Sequence, residues 1–333
     1  MNKLLMNKIH SIVLAGGSGT RFWPLSREKK PKQLLEIFSN QTLLETTIER
    51  ISPISTTISI STGTLLAEQI KVLVPGRNLI VEPVRRDTAA AIGLCAIQYD
   101  DNDILAIFPS DAYVRPDDKF RETILQAADK AQRYDSIVLV GIQPTHPAIG
   151  YGYIEPSETD LVESFREKPD FATAQNYIER GFLWNAGIFV AKAGVILNEF
   201  ARNARDIYDA LMAIKNGGDT NAIYATIRRT SFDFAIMERA SKIHFVPASF
   251  FWNDVGSFDA LGDIFKGRNA IIKGQLSEIN SSGNVVLSNK RIALIDCNDM
   301  VIVDTDDAIL VCPKSSLQKV KQLVEQELEE YMK

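Results

Sequence analysis

The sequence predicts an α/β protein with a mostly parallel sheet flanked by helices, then a small β domain and a terminal helix. Three observations lead there. From Ile9 to about Leu261, short apolar runs alternate with amphipathic segments, the rhythm of parallel strands joined through helices. The first of those runs, Ile12-Val13-Leu14-Ala15, empties into Gly16, Gly17 and Gly19. After Gly262 the texture changes to β-rich runs separated by turns that carry Gly, Asn and Asp. A chain of 333 residues exceeds one core of usual size, so two domains are expected, at 1–262 and 263–333.

Strands are expected at Ile9–Leu14, Thr57–Ser61, Asn78–Val81, Ile104–Phe108, Ile137–Gly141 and Ile243–Pro247. Between them, apolar residues recur at helical spacing over Leu43–Ile51, Thr88–Tyr99, Phe120–Tyr134 and Phe171–Arg180. Ligands of such sheets bind outside the carboxyl ends of the strands. The glycine loop leaves the first strand at that edge, and so does Phe-Pro-Ser-Asp at 108–111. In the C-terminal part the β runs are Ala270–Ile272, Asn284–Leu287, Arg291–Ile295, Met300–Val303 and Ala308–Val311. Their spacing suits a few coils of parallel β-helix, although the hexapeptide period is too ragged to establish it. Leu317, Val320, Val324, Leu328 and Tyr331 then recur at helical spacing, with Ser315 available as a cap.

Composition is that of an ordinary globular protein, 45% hydrophobic and 24% charged. A net charge of -5 argues against electrostatic binding of nucleic acid, so an anionic ligand needs a local cationic patch. Cys95, Cys297 and Cys312 are scattered in apolar runs without metal spacing, and are expected as buried thiols of a reducing compartment. No stretch is long and apolar enough to span a bilayer. Met1 to Lys8 lacks the apolar core and cleavage site of a signal peptide, and Met6 is an alternative start, so the cytoplasm is the expected location.

Residues 16–33 carry the most chemistry. Glycines let the backbone turn sharply and approach a ligand, and successive N–H groups in such a turn form a concavity for anionic oxygens. Arg21 and Lys32 flank a loop stiffened by Pro24 and Pro31. The stretch is neither the Walker motif, since no Lys-Ser or Lys-Thr follows at the required offset, nor the dinucleotide fingerprint, whose last glycine is replaced by a bulky residue. It resembles the signature loop of sugar-1-phosphate nucleotidyltransferases. Phe-Trp-Pro-Leu-Ser-Arg and the closing Pro-Lys-Gln are similar to the mannose-1-phosphate guanylyltransferase branch. Further motifs match in the family's order: Glu82 to Ile92, Phe108 to Asp111, Phe165 to Pro169, Trp184 to Phe189, Ser231 to Glu238 and Trp252 to Leu261. Val303 to Ala308 and Leu310 to Lys314 extend the likeness into the C-terminal part, as in the short single-function members.

The resemblance implies a Rossmann-like fold of the nucleotide-diphospho-sugar transferase type, with a short left-handed β-helix at the C-terminus. It implies transfer of GMP from GTP to mannose 1-phosphate, with Mg²⁺ on Asp111 and Asp254, two carboxylates from distant segments. Ala15, Gly16, Gly17, Gly19, Thr20, Arg21, Ser110 and Asp111 would line the nucleotide phosphates. Glu82, Asp87 and Thr88 would face the base, with Glu82 accepting the guanine N–H donors. Gly152, Glu167, Lys168, Asn185 and Gly187 would bind the sugar phosphate. Catalysis would come from positioning and electrostatics through Arg21, Lys32, Lys168, Asp111 and Asp254, without a covalent nucleophile.

Read alone, several of these residues have plainer uses. Asp111 and Asp254 suit turns, Asp87 or Thr88 suits a helix cap, and Glu167-Lys168 suits a solvated surface pair. Ala112, Ile149 and Asn253 stand where His, Thr and Ser are common in the family, which bears on sugar specificity. The alternatives are another nucleotide and sugar phosphate, or a nucleotide-sugar sensor on the same fold. The expected partners are the two substrates and a second copy of the chain in a homodimer, with neither nucleic acid nor membrane.

Overall fold

The alternating runs of the first 250 residues assemble into one mixed sheet in the computed structural model, which describes residues 9–17, 19–265 and 267–327. Among the described residues this sheet has nine strands. Its main path runs Ile243–Pro247, Ile137–Ile142, Leu183–Lys192, Ile104–Pro109, Ile9–Leu14, Thr57–Gly63, Asn78–Glu82. Ile9–Leu14 is parallel to both neighbours, with Val13 opposite Ile60 and Phe108. Leu183–Lys192 is antiparallel to Ile104–Pro109 and to Ile137–Ile142. A hairpin of Gly152–Pro156 and Val162–Glu167 joins the sheet through Tyr153 opposite Trp184. Central strands such as Ile104–Pro109 are buried on both faces, which explains their unbroken apolar runs.

The expected strands are all present, with ends displaced by no more than two residues. The helix expected from Phe120 starts at Asp117, where Asp117 and Asp118 complement the positive end of the helix dipole. The helix expected over Thr88–Tyr99 runs Asp87–Ala96, and every residue from Ala89 to Ala96 is buried. A helix apolar on all sides belongs inside the core.

The chain divides into two compact units. One takes in the chain up to Gly16, 48–110 and 114–252, and contains the whole nine-stranded sheet. The other gathers 17–47, 111–113 and the chain from Asn253 onward. In this second unit Ala270–Ile279, Val285–Ile295 and Met300–Asp304 pair in parallel, and Ile309–Pro313 closes the sheet antiparallel. The two runs expected at Asn284–Leu287 and Arg291–Ile295 belong to one strand. Its core joins Phe22, Trp23, Leu35 and Ile37 to Val255, Phe258, Val301 and Val320.

A 3₁₀ turn at Lys314–Ser316 contains Ser315 and precedes the helix Gln318–Glu327. Leu317, Val320 and Val324 are buried as their spacing requires, while Leu328 and Tyr331 lie outside the described residues. Only Cys95 of the three thiols is buried, a correction to the expectation. Cys312 sits on an edge strand and Cys297 in a turn, so neighbouring elements cover them incompletely. Among the described residues no helix is long and apolar enough to cross a membrane.

Candidate functional site

In the second unit the glycine loop is folded back on its own closing segment. Gly19 has φ +63°, and a Cβ there would lie 2.5 Å from the Lys32 backbone nitrogen, so the position requires glycine. Ser26 donates to the Gly19 carbonyl at 2.7 Å, and the Gln33 amide donates to that of Gly17 at 3.2 Å. Thr20 and Arg21 enter a 3₁₀ turn that ends at Phe22, and Arg21 is exposed. Phe22 and Trp23 are buried, and the Phe22 ring lies 4.9 Å from that of Phe258. Apolar anchors therefore hold the turn that presents the Arg21 cation.

Lys32 is buried, and its ammonium lies 2.9 Å from Asp111 Oδ2 while donating to the main-chain oxygen of Asp254. The Asp254 carboxylate accepts the Gly256 N–H at 3.0 Å, the turn role open to it from sequence. A Cβ at Gly256 would come within 2.8 Å of Asp254 Oδ2, so glycine makes room for that carboxylate. Among the described residues no three His, Cys, Asp or Glu side chains gather into a metal cluster. Asp111 thus meets the Lys32 ammonium through its carboxylate and Asp254 through its main-chain oxygen, at a spot that already attracts a cation. Arg27, from the same loop, makes a two-pronged ion pair with Asp307 at 2.8 and 3.0 Å.

The first unit holds the residues expected at base and sugar. Ala15 continues the sheet by donating to the Ser61 carbonyl at 2.7 Å, and Ser110 is buried just past its strand. Glu82 ends its strand buried, with Oε2 accepting from the Tyr224 hydroxyl at 2.8 Å and Oε1 from Ser61 Oγ at 3.5 Å. Burial raises its carboxyl above the usual range, and the same burial pushes the Tyr224 phenol well up. Both oxygens thus have partners inside the protein. A Cβ at Gly16 would stand 3.4 Å from Glu82 Oε1, which puts that carboxyl beside the glycine.

The N-cap position of the following helix falls on Arg86, not on Asp87 or Thr88 as expected. Asp87 has φ +71°, and one oxygen of its carboxylate accepts the Thr88 N–H at 2.8 Å. The Thr88 hydroxyl accepts the Phe232 N–H at 2.9 Å and ties the helix start to a distant turn.

Gly152 lies opposite Glu167 across the hairpin, and a Cβ there would come within 2.7 Å of Glu167 Oε2. The glycine makes room for that carboxylate, whereas Gly150 and Gly187 have open space around them. The Lys168 ammonium is 2.6 Å from Glu167 Oε1; the lysine side chain is exposed, but the glutamate is covered. Lys168 adopts φ +47° and donates its N–H to the Tyr151 carbonyl at 3.2 Å. Asn185 is buried, with Oδ1 accepting the Gly187 N–H and Nδ2 donating to Asp233, both at 3.1 Å. Sequence reasoning assigned no role to Asp233 or Tyr224. Asp233 was visible within the family-like run 231–238, but an aspartate among apolar residues reads as a cap.

A family model described as Nucleotidyl transferase matches residues 10–270, and one described as MannoseP isomerase/GMP-like beta-helix domain matches 274–327. The chain is 35% identical to a mannose-1-phosphate guanylyltransferase of Salmonella muenchen, over 96% of this chain and 73% of that protein. It is 34% identical, with the same coverage, to the xanthan biosynthesis protein XanB of Xanthomonas campestris. A crystal structure from Thermus thermophilus, named as a mannose-1-phosphate geranyltransferase, superposes with a TM-score of 0.91 at 31% identity, covering 96% of this chain and 99% of that one.

Proposed function

This chain belongs to the nucleotidyl transferase family, and we propose that it transfers GMP from GTP to mannose 1-phosphate, giving GDP-mannose and pyrophosphate. The observation that carries the reading is the meeting of Lys32, Asp111 and Asp254, from three distant segments, beside a glycine loop built for anionic oxygens. An oxygen of the sugar phosphate attacks the α-phosphorus of GTP. A new P–O bond forms as the bond to the pyrophosphate oxygen breaks. The obstacle is charge, since one phosphate dianion must approach a triphosphate.

Arg21 and Lys32 neutralise the triphosphate and the departing pyrophosphate, and the exposed Lys168 receives the sugar phosphate. Ala15, Gly16, Gly17, Gly19, Thr20 and Ser110 are assigned to the nucleotide phosphates, and Glu82, Asp87 and Thr88 to the base. Gly152, Glu167, Asn185 and Gly187 are assigned to the sugar. Asp111 and Asp254 would hold Mg²⁺, which supplies divalent positive charge among the phosphates when bound. Lys32 is at present neutralised by Asp111. Lys32 would turn its ammonium to a phosphate oxygen and Asp111 its carboxylate to the metal, so that each charge keeps an opposite partner.

A cytoplasmic homodimer completes the proposal. The exposed Ile279, Ile295, Ile309 and Val311 of the C-terminal sheet support a second copy as the partner. Pyrophosphate release with GTP, ATP, UTP and dTTP against mannose and glucose 1-phosphates tests the reaction. GTP with mannose 1-phosphate should be preferred, and a preference for another pair would replace the substrate assignment.

A further inference from the structure

The Asn185 amide is held at both ends. Its oxygen accepts the N–H of Gly187, which the left-handed backbone at φ +69° turns toward it, and its amino group donates to Asp233 Oδ1. An amide with only one of these contacts could flip and present its oxygen in place of its N–H. With both, one orientation remains, and the second amino hydrogen is left for an acceptor such as a sugar hydroxyl or phosphate oxygen. Asp233 opens the one-turn π-helix Asp233–Met237, a form of turn found frequently at functional sites. Glu238, directly after that turn, accepts the Glu167 N–H at 3.3 Å. The turn therefore touches both the residue beside Lys168 and the amide proposed for the sugar.

We infer that Asp233 is a positioning residue: it fixes the Asn185 amide for the sugar phosphate and so sets affinity for that substrate rather than for the nucleotide. The inference rests on the sugar-phosphate subsite proposed above. The charged groups facing Asp233 are Glu167 and Lys168 from the hairpin and Asp87 from the start of the helix Asp87–Ala96. Burial, with the Glu167 charge next in weight, pushes the Asp233 carboxyl up to about 7. The ionised carboxylate is the better acceptor for the amide, so positioning strengthens as pH rises through neutrality.

The test is steady-state kinetics on the purified full-length chain, with Asp233→Asn, Asn185→Ala and the double variant. Asp233→Asn should raise KM for mannose 1-phosphate about tenfold and leave KM for GTP within about twofold. In the Asn185→Ala background the same change should add less than about twofold, because its route of action is gone. The wild-type to Asp233→Asn ratio of kcat/KM for the sugar phosphate should rise between about pH 6 and pH 8. The substrate's own ionisation is common to both enzymes and cancels in that ratio. Equal weakening toward GTP, additive effects in the double variant, or a flat ratio would each overturn the inference while leaving the proposed reaction standing. A wild-type enzyme that turns over no mannose 1-phosphate would instead overturn the proposed reaction, and this inference with it.

Discussion

The Lys32 ammonium donates to the main-chain oxygen of Asp254, a residue 222 positions away in the sequence. Its charge is balanced by Asp111, 2.9 Å distant. Three segments far apart in the chain thus converge on one buried cation.

Replacing either acid isolates its part in this arrangement. Asp111→Asn and Asp254→Asn keep side-chain size and remove one negative charge each, so the fold should survive. Turnover supported by Mg²⁺ should drop by more than about 100-fold in each variant. Initial rates across a Mg²⁺ titration, with circular dichroism as the control for folding, check this. Near-normal turnover would remove that residue from the proposed metal site.

Lys168→Ala removes an exposed cation held by Glu167. KM for mannose 1-phosphate should increase about tenfold, and that for GTP much less. Equal loss toward both substrates would count against the assignment of Lys168 to the sugar phosphate.

Arg27 and Asp307 link the signature loop to a turn in the C-terminal sheet. The guanidinium holds the Asp307 carboxyl below its usual range, so the pair contributes at neutral pH and its contribution is lost as pH falls through that lowered value. Asp307 is 58% exposed, so solvent screening limits the effect of Asp307→Ala to about 1 kcal/mol or less. Denaturant melts should show the deficit at neutral pH, less of it in high salt, and convergence of the two proteins in acid.

Tyr224→Phe removes a donor from a buried carboxyl. Glu82 already titrates above its usual range, so its ionisation costs stability as pH rises past the unfolded value, and the Tyr224 hydrogen bond reduces that cost. The variant should match wild type in mild acid and fall behind it by about 1–3 kcal/mol at higher pH. Denaturant titrations at several pH values measure the divergence, and a pH-independent deficit would show that Tyr224 acts through packing alone.

The strands and the glycine loop were legible because each depends on a local pattern: an apolar run, or a cluster of glycines directly after one. Lys32, Asp111 and Asp254 could be named from their motifs. Their mutual contact could not, because nothing local records a partner 222 positions away. The direction of Leu183–Lys192 escaped sequence reasoning for the same reason: an apolar strand carries no mark of its neighbours' orientation. Phe22 and Trp23 were legible as part of a signature but not as core residues, since two aromatics in a loop show no periodicity. Asp233 stayed hidden because its function depends on Asn185, which reaches it only in the folded chain.

The most direct measurement is ³¹P NMR of GTP and mannose 1-phosphate incubated with the protein and Mg²⁺. Resonances of GDP-mannose and free pyrophosphate should grow together as both substrates decline, with no such growth when EDTA is present. Unchanged spectra, or hydrolysis of GTP without consumption of the sugar phosphate, would contradict guanylyl transfer.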